Sequence, residues 1–265
     1  MSETYLTSAK GIRILPGQWR PHYPFEHIVW VSPSWPCQDY VWLDFPEAIW
    51  TQRELLFLSH VNPECPTTFT DLPRVPWQSI AGGIAYERRL PNGLKCSGQV
   101  THGGANDVDL QIVLENQGSA TVPDIRLQTC AYLRAVDELS ERTGANKLVH
   151  VPGGGWVAMD DAPEAATDRG GCYIGWPSHI DRDGPAPVDR PVVVCRAREA
   201  NRFVALTWFD RTLSLQNNCA HPCIHADPAV DELPIGERVV FRGKLIFFEG
   251  SLEEFDRTSV RLMSE

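Results

Sequence analysis

The chain has 265 residues, 43% of them apolar and 22% charged, with a net charge of −10. These proportions supply a sizeable core and exclude a disordered chain. An acidic balance with no run of five or more Lys and Arg argues against a nucleic-acid or anionic-membrane partner. The first twenty residues lack the apolar run of a secretory signal, and no stretch reaches the roughly eighteen apolar residues of a membrane span. The expectation is therefore a cytoplasmic protein. Its eight cysteines are scattered apart from Cys219 and Cys223, so most read as small buried apolar groups, with no disulfide ladder. Large sandwiches and barrels reach this length as one domain, which is the expectation for 1–265.

Residues 21–50 are rich in aromatics and prolines, and the runs 27–31 and 40–45 predict strands broken by proline loops. Their clustered rings, Trp42 among them, either form a platform for sugar faces or fill the core. Asp39, Asp44 and Glu47 lie between them as candidate carboxylates. The run 55–61 is apolar except for Ser59 and His60, and His60 stands where a strand meets a long proline-punctuated loop, a common place for binding residues. Residues 84–90 and 94–101 flank Pro91-Asn92-Gly93 and predict a hairpin, because Asn and Gly accept the positive φ of its turn.

In 107–116, Val108, Leu110, Ile112 and Leu114 alternate with polar residues, the pattern of a half-buried strand. A turn at 116–119 leads to a strand over 125–133. Only 136–143 and 251–256 have helical character. The Gly- and Pro-rich region 149–187 predicts weak strands, and its Gly-Gly-Gly run lacks the Lys and Ser/Thr of a phosphate loop. Three closely spaced strands follow at 191–198, 203–209 (which carries Trp208) and 212–216, and a long apolar strand closes the series at 239–249. Many strands, frequent turns and almost no helix predict an all-β fold: a large antiparallel β-sandwich or barrel with one or two short helices.

Between the last two strands lies 217–228, NNCAHPCIHADP, where metal-ligand and acid/base residue types crowd together. Pro222 and Pro228 oppose an interior helix. If the segment is extended, Cys219, His221, Cys223, His225 and Asp227 share one face. A tight loop capped by Asp227 is the alternative.

The stretches DVDLQIVLENQGSATVPDIRLQTCAYLRA and CIHADPAVDELPIGERVVFRGKLIFF resemble the galactose-mutarotase-like super-sandwich. In that group a strand ending in Asn leads to one carrying His-x-Tyr-Phe, and a late Cys-aliphatic-Glu-Pro precedes a Leu-x-x-Gly-Glu turn and a final strand. The resemblance covers roughly half the chain and implies the sandwich and the location of its site. Here Cys130 stands two residues before Tyr132 in place of the acid histidine, and His225 follows Cys223 and Ile224 in place of the catalytic glutamate. Both members of the usual proton-transfer pair are replaced.

Three functions remain open. The first is a carbohydrate-active enzyme doing acid/base chemistry at a sugar ring, as an epimerase or β-eliminating lyase. Its catalytic candidates are His225, His221 and His60, with Trp42, Asp44, Glu47 and Trp208 on the substrate. The second is a metal-dependent hydrolase or oxidoreductase. A divalent transition metal, the one cofactor considered, would sit on His221, His225 and Asp227, a His-x-x-x-His pair with a carboxylate. The third is a non-catalytic carbohydrate-binding module. The partner in each case is a small molecule or oligosaccharide, and edge strands give a route to a homo-oligomer.

Overall fold

A computed structural model describes residues 11–19, 26–59, 67–161, 166–168, 171–175, 188–198, 201–209, 212–218 and 221–262. The described residues form two nine-stranded sheets whose strands pair antiparallel throughout. The first sheet contains β1 (Ile14–Gly17), β2 (Ile28–Val31), β3 (Val41–Trp50) and β4 (Leu55–Phe57), then β9 (Val122–Tyr132), β12 (Ala166–Asp168), β13 (Gly171–Gly175), β16 (Thr212–Asn218) and β17 (Cys223–Leu233). Its order is β1-β2-β3-β9-β17-β16-β13-β12, with β4 beside β3. The second sheet contains β5 (Gln78–Ile80), β6 (Gly83–Arg89), β7 (Leu94–His102), β8 (Asp107–Asn116), β10 (Lys147–Val151), β11 (Gly155–Ala158), β14 (Val192–Arg196), β15 (Arg202–Trp208) and β18 (Arg238–Glu249). It runs β11-β10-β14-β15-β18-β8-β7-β6-β5. This is the antiparallel sandwich expected from the strand density.

Side-chain alternation separates core from surface. On β8 the fully buried Val108, Ile112 and Leu114 face the first sheet, and on β9 Ile125, Leu127 and Ala131 answer them. Trp208 bridges the layers: its ring stacks 6.3 Å from Phe45, and its Nε1 donates to Thr129 Oγ1 at 3.1 Å. Phe45 also joins a second cluster: the His27 ring stacks 3.6 Å from Tyr86, whose hydroxyl donates to the Phe45 carbonyl at 2.9 Å.

The Asn-Gly turn forms as read. Gly93 has φ 89°, Asn92 Oδ1 accepts the Leu94 N–H at 3.1 Å, and a Cβ on Gly93 would meet Gly118 Cα at 2.5 Å. Residues 136–143 instead form only a 3₁₀ turn, Asp137–Leu139: Val136 and Leu139 are buried, but nothing from 140 to 143 is, so no further turn of helix gains an apolar anchor. The C-terminal helix α1 (Leu252–Leu262) is longer than expected. It starts with a capping box, in which Ser251 N–H donates to Glu254 Oε2 at 2.8 Å and Glu254 N–H donates to Ser251 Oγ at 3.2 Å. Phe255 then packs on Trp156 and Phe248 over the outer face of the second sheet.

No helix among the described residues is long and apolar enough to cross a membrane.

Candidate functional site

Of the segment singled out in the sequence, residues 217 and 218 end β16 and residues 223–228 open β17. β17 begins at Cys223 and runs as an interior strand between β9 and β16. Pro228, which cannot donate to a ladder, sits opposite Thr212 beside a register shift, where a missing donor costs least. Ile224 and Ala226 face the core with no exposure, so Cys223, His225 and Asp227 point to the opposite, outer face. They are nevertheless 2%, 6% and 6% exposed, which means that this face is covered.

Register decides what they meet. His225 pairs with Cys130 on one side and Gln216 on the other, while Cys223 pairs with Tyr132. On the next strand Asp44 lies opposite Cys130 and Trp42 opposite Tyr132. The ladder between β3 and β9 then shifts between Asp44 and Ala48, and this irregularity brings Glu47 to the same patch, its Oε2 3.6 Å from His225 Nδ1.

His225 is held at both nitrogens. Nε2 lies 3.1 Å from Cys223 Sγ, and Nδ1 lies 3.3 Å from the Gln128 amide. Burial opposes a charge on this ring, but the Cys223 sulfur, Glu47 and Asp227 outweigh it and push its pKa up to about 10. The hydrogen bond from Cys130 holds the Cys223 thiol well below its usual range against burial, with help from His225 and His221. That same hydrogen bond, followed by burial and the charges of Cys223, Glu47 and Asp44, pushes Cys130 up. The three groups are thus shifted apart, Cys223 downward and His225 and Cys130 upward.

The patch has two ends. Beside the cysteines stands an aromatic wall: Trp19 stacks 4.7 Å from Tyr132, and Trp42 lies 5.8 Å from Tyr132. Beyond His225 a cavity of about 240 Å³ opens, lined by Trp50, Arg126, Gln128, Ser214, Gln216 and Asp227. Asp227 Oδ2 accepts from Ser214 Oγ and from Gln216 Nε2, the latter at 2.5 Å. Its Oδ1 is buried and has no hydrogen-bond partner among the described residues. Burial raises the Asp227 pKa to about 6, and His225, Ser214 and Gln216 limit the rise.

The residues expected from sequence are thus only partly gathered. His225, Glu47, Asp44 and Asp227 share one patch, and Trp42 stands at its edge. His221 is exposed at the turn before β17, 6.2 Å from the Tyr132 ring and outside the close group. His60 and Cys219 lie outside the described residues. Trp208 requires correction: it is fully buried between the sheets on β15, so it faces no substrate. The expected metal set His221, His225 and Asp227 does not form a close group. Among the described residues, the group of His, Cys and carboxylate side chains whose ligand atoms lie within 4.8 Å of one another is Cys130, Cys223 and His225.

No family model and no curated protein matches the chain. Among solved structures it is similar to the Slr1438 protein from Synechocystis sp. PCC 6803, with TM-score 0.46 and 8% identity over 92% of this chain and 99% of that one. It is similar also to a candidate aldose 1-epimerase from Escherichia coli K12, with TM-score 0.45 and 10% identity over 91% and 100% of the two chains. A GalM/aldose epimerase homologue from C. elegans gives TM-score 0.42 and 9% identity over 91% and 99%. The likeness is one of fold. It is distant. The two positions at which this chain departs from the mutarotase pattern, Cys130 and His225, are direct cross-strand partners.

Proposed function

We propose that the outer face of β3, β9, β17 and β16 binds a sugar ring in the cavity beside Asp227 and moves a proton on it, in an epimerase-like or β-eliminating reaction. The observation that carries this reading is the Asp227 carboxyl in the cavity wall. One of its oxygens is fixed by Ser214 and Gln216, and the other has no partner among the described residues. Once a ring seated in the cavity reaches this buried oxygen, the oxygen accepts or returns a proton without first breaking a hydrogen bond.

The remaining lining suits a polyhydroxylated ring. Gln128 and Gln216 supply amide donors and acceptors, Arg126 supplies a guanidinium, and Trp50 supplies a flat apolar face, 37% exposed. His225 was expected to exchange the proton itself. With Nε2 on Cys223 and Nδ1 against Gln128 and Glu47, it serves this reading as a positioning group behind the wall.

The test is a monosaccharide and oligosaccharide panel, followed by ligand-observed NMR for binding, polarimetry for epimerisation and ultraviolet absorbance for unsaturated elimination products. Asp227→Asn is expected to keep binding and lose turnover, and Trp50→Ala to weaken binding about tenfold. Binding without turnover in the wild type would favour the carbohydrate-binding module. Absence of both would overturn the reading.

A further inference from the structure

The sugar reading leaves two cysteines without a task. Cys130 and Cys223 come from different strands, lie on the covered outer face at 6% and 2% exposure, and meet each other and His225 rather than the core. We infer that Cys130, Cys223 and His225 form a binding site for one thiophilic divalent cation of the zinc class, held by two thiolates and the His225 Nε2. This inference is independent of the carbohydrate reading.

The geometry fits the ion. Zinc bonds to sulfur at about 2.3 Å and to imidazole nitrogen at about 2.0–2.1 Å, so tetrahedral ligand atoms stand roughly 3.5–3.8 Å apart. The three ligand atoms here all lie within 4.8 Å of one another, and Cys223 Sγ to His225 Nε2 is 3.1 Å. Loading requires that last pair to open by about half an ångström. Three protein ligands leave a fourth position for water or another small ligand, and their chemistry selects a soft or borderline ion over magnesium or calcium.

The surroundings fit as well. A ligating Nε2 needs the proton on Nδ1 and an acceptor there: Glu47 Oε2 stands 3.6 Å away as a nearby negative charge, and the Gln128 amide, whose Nε2 lies 3.3 Å from Nδ1, has to turn its oxygen to that proton on loading. Asp44 and Glu47 bring negative charge close to Cys130, which favours a cation. Two thiolates and a neutral imidazole balance the 2+ charge in full, so the loaded cluster buries no net charge. Loading releases two protons from the three side chains to solvent.

The test uses the full chain under reducing conditions, with zinc alone and then cobalt as the probes. Elemental analysis of protein from zinc-supplemented culture is expected to give one equivalent. Cobalt in the chelator-stripped protein is expected to give a sulfur-to-cobalt charge-transfer band and the visible absorption of a tetrahedral site. Cys130→Ser and Cys223→Ser should each remove the band and weaken binding more than about 100-fold, while Glu47→Gln weakens it about tenfold. His221→Ala should keep one equivalent. No stoichiometric metal in the wild type, or cobalt bound without the sulfur band, would overturn the inference. So would loss of metal in His221→Ala together with retention in Cys130→Ser. The cobalt spectrum of the wild type decides the matter even where a cysteine variant does not fold.

Discussion

Acidification should unfold this protein through a buried histidine that is not part of the candidate site. His27 is 2% exposed, stacks on Tyr86 3.6 Å away, meets Trp77 edge-on, and places Nε2 3.0 Å from the Val75 carbonyl. Burial, reinforced by the Arg88 guanidinium and only partly opposed by the Val75 hydrogen bond, drops its pKa from 6.5 to about 3. Between those values the unfolded chain binds a proton that the native chain refuses, so stability rises with pH through this window and is lost as pH falls. With those two values, the single group removes about 2 kcal/mol at pH 5 and about 3 kcal/mol at pH 4 relative to neutral pH. For a chain of this size, the loss at pH 5 corresponds to roughly 4–8 °C in Tm. The assay is urea unfolding followed by tryptophan fluorescence at fixed pH values from 8 to 4, on wild type and His27→Phe. The variant keeps the ring packing, loses the bond to Val75 at a cost of about 1–2 kcal/mol at neutral pH, and should lose about 2 kcal/mol less than wild type between pH 8 and pH 5. Parallel losses in the two proteins, or a His27 resonance titrating near pH 6.5 in the folded state, would refute the reasoning.

Three further variants test the fold and the burial of Trp208. Trp208→Ala should cost about 3–5 kcal/mol in denaturant unfolding, since it empties a fully buried ring site and strips Thr129 of its donor. Trp208→Phe should leave sugar affinity within about twofold, the opposite of what a substrate-binding Trp208 would give. Gly93→Ala should destabilise by more than about 1 kcal/mol, because the left-handed φ of 89° and the approach of Gly118 Cα to 2.5 Å both oppose a Cβ. A Tm equal to wild type would show that the turn relaxes freely.

Much of the sandwich was legible because its strands carry their own marks. In β8 alternate apolar residues give the whole span, and the 84–90 and 94–101 runs meet at an Asn-Gly turn whose chemistry is local. β3 continues past Pro46 to Trp50, beyond the expected end at 45, because neighbouring β9 and β4 supply pairing that no local pattern announces. The site divides along the same line. His225 and Asp227 were readable from spacing on one strand, whereas Gln128, Ser214 and Gln216 belong to the patch through cross-strand register, which the sequence does not display. Cys130 was visible only as a departure from a family pattern. Trp208 was misplaced because β15 is apolar on both faces, so its alternation does not tell which residues face outward.

The alternation along β17 makes the site a matter of parity. Cys223, His225 and Asp227 occupy the odd positions of a strand whose even positions, Ile224 and Ala226, belong to the core. Insertion or deletion of one residue in this stretch exchanges the two sets, driving an imidazole and a carboxylate between the sheets and turning an isoleucine outward. Changes in length can therefore be absorbed before Cys223 or beyond Leu233, but within the strand only in steps of two. The chemistry of this face can be rewritten by substitution far more easily than it can be moved.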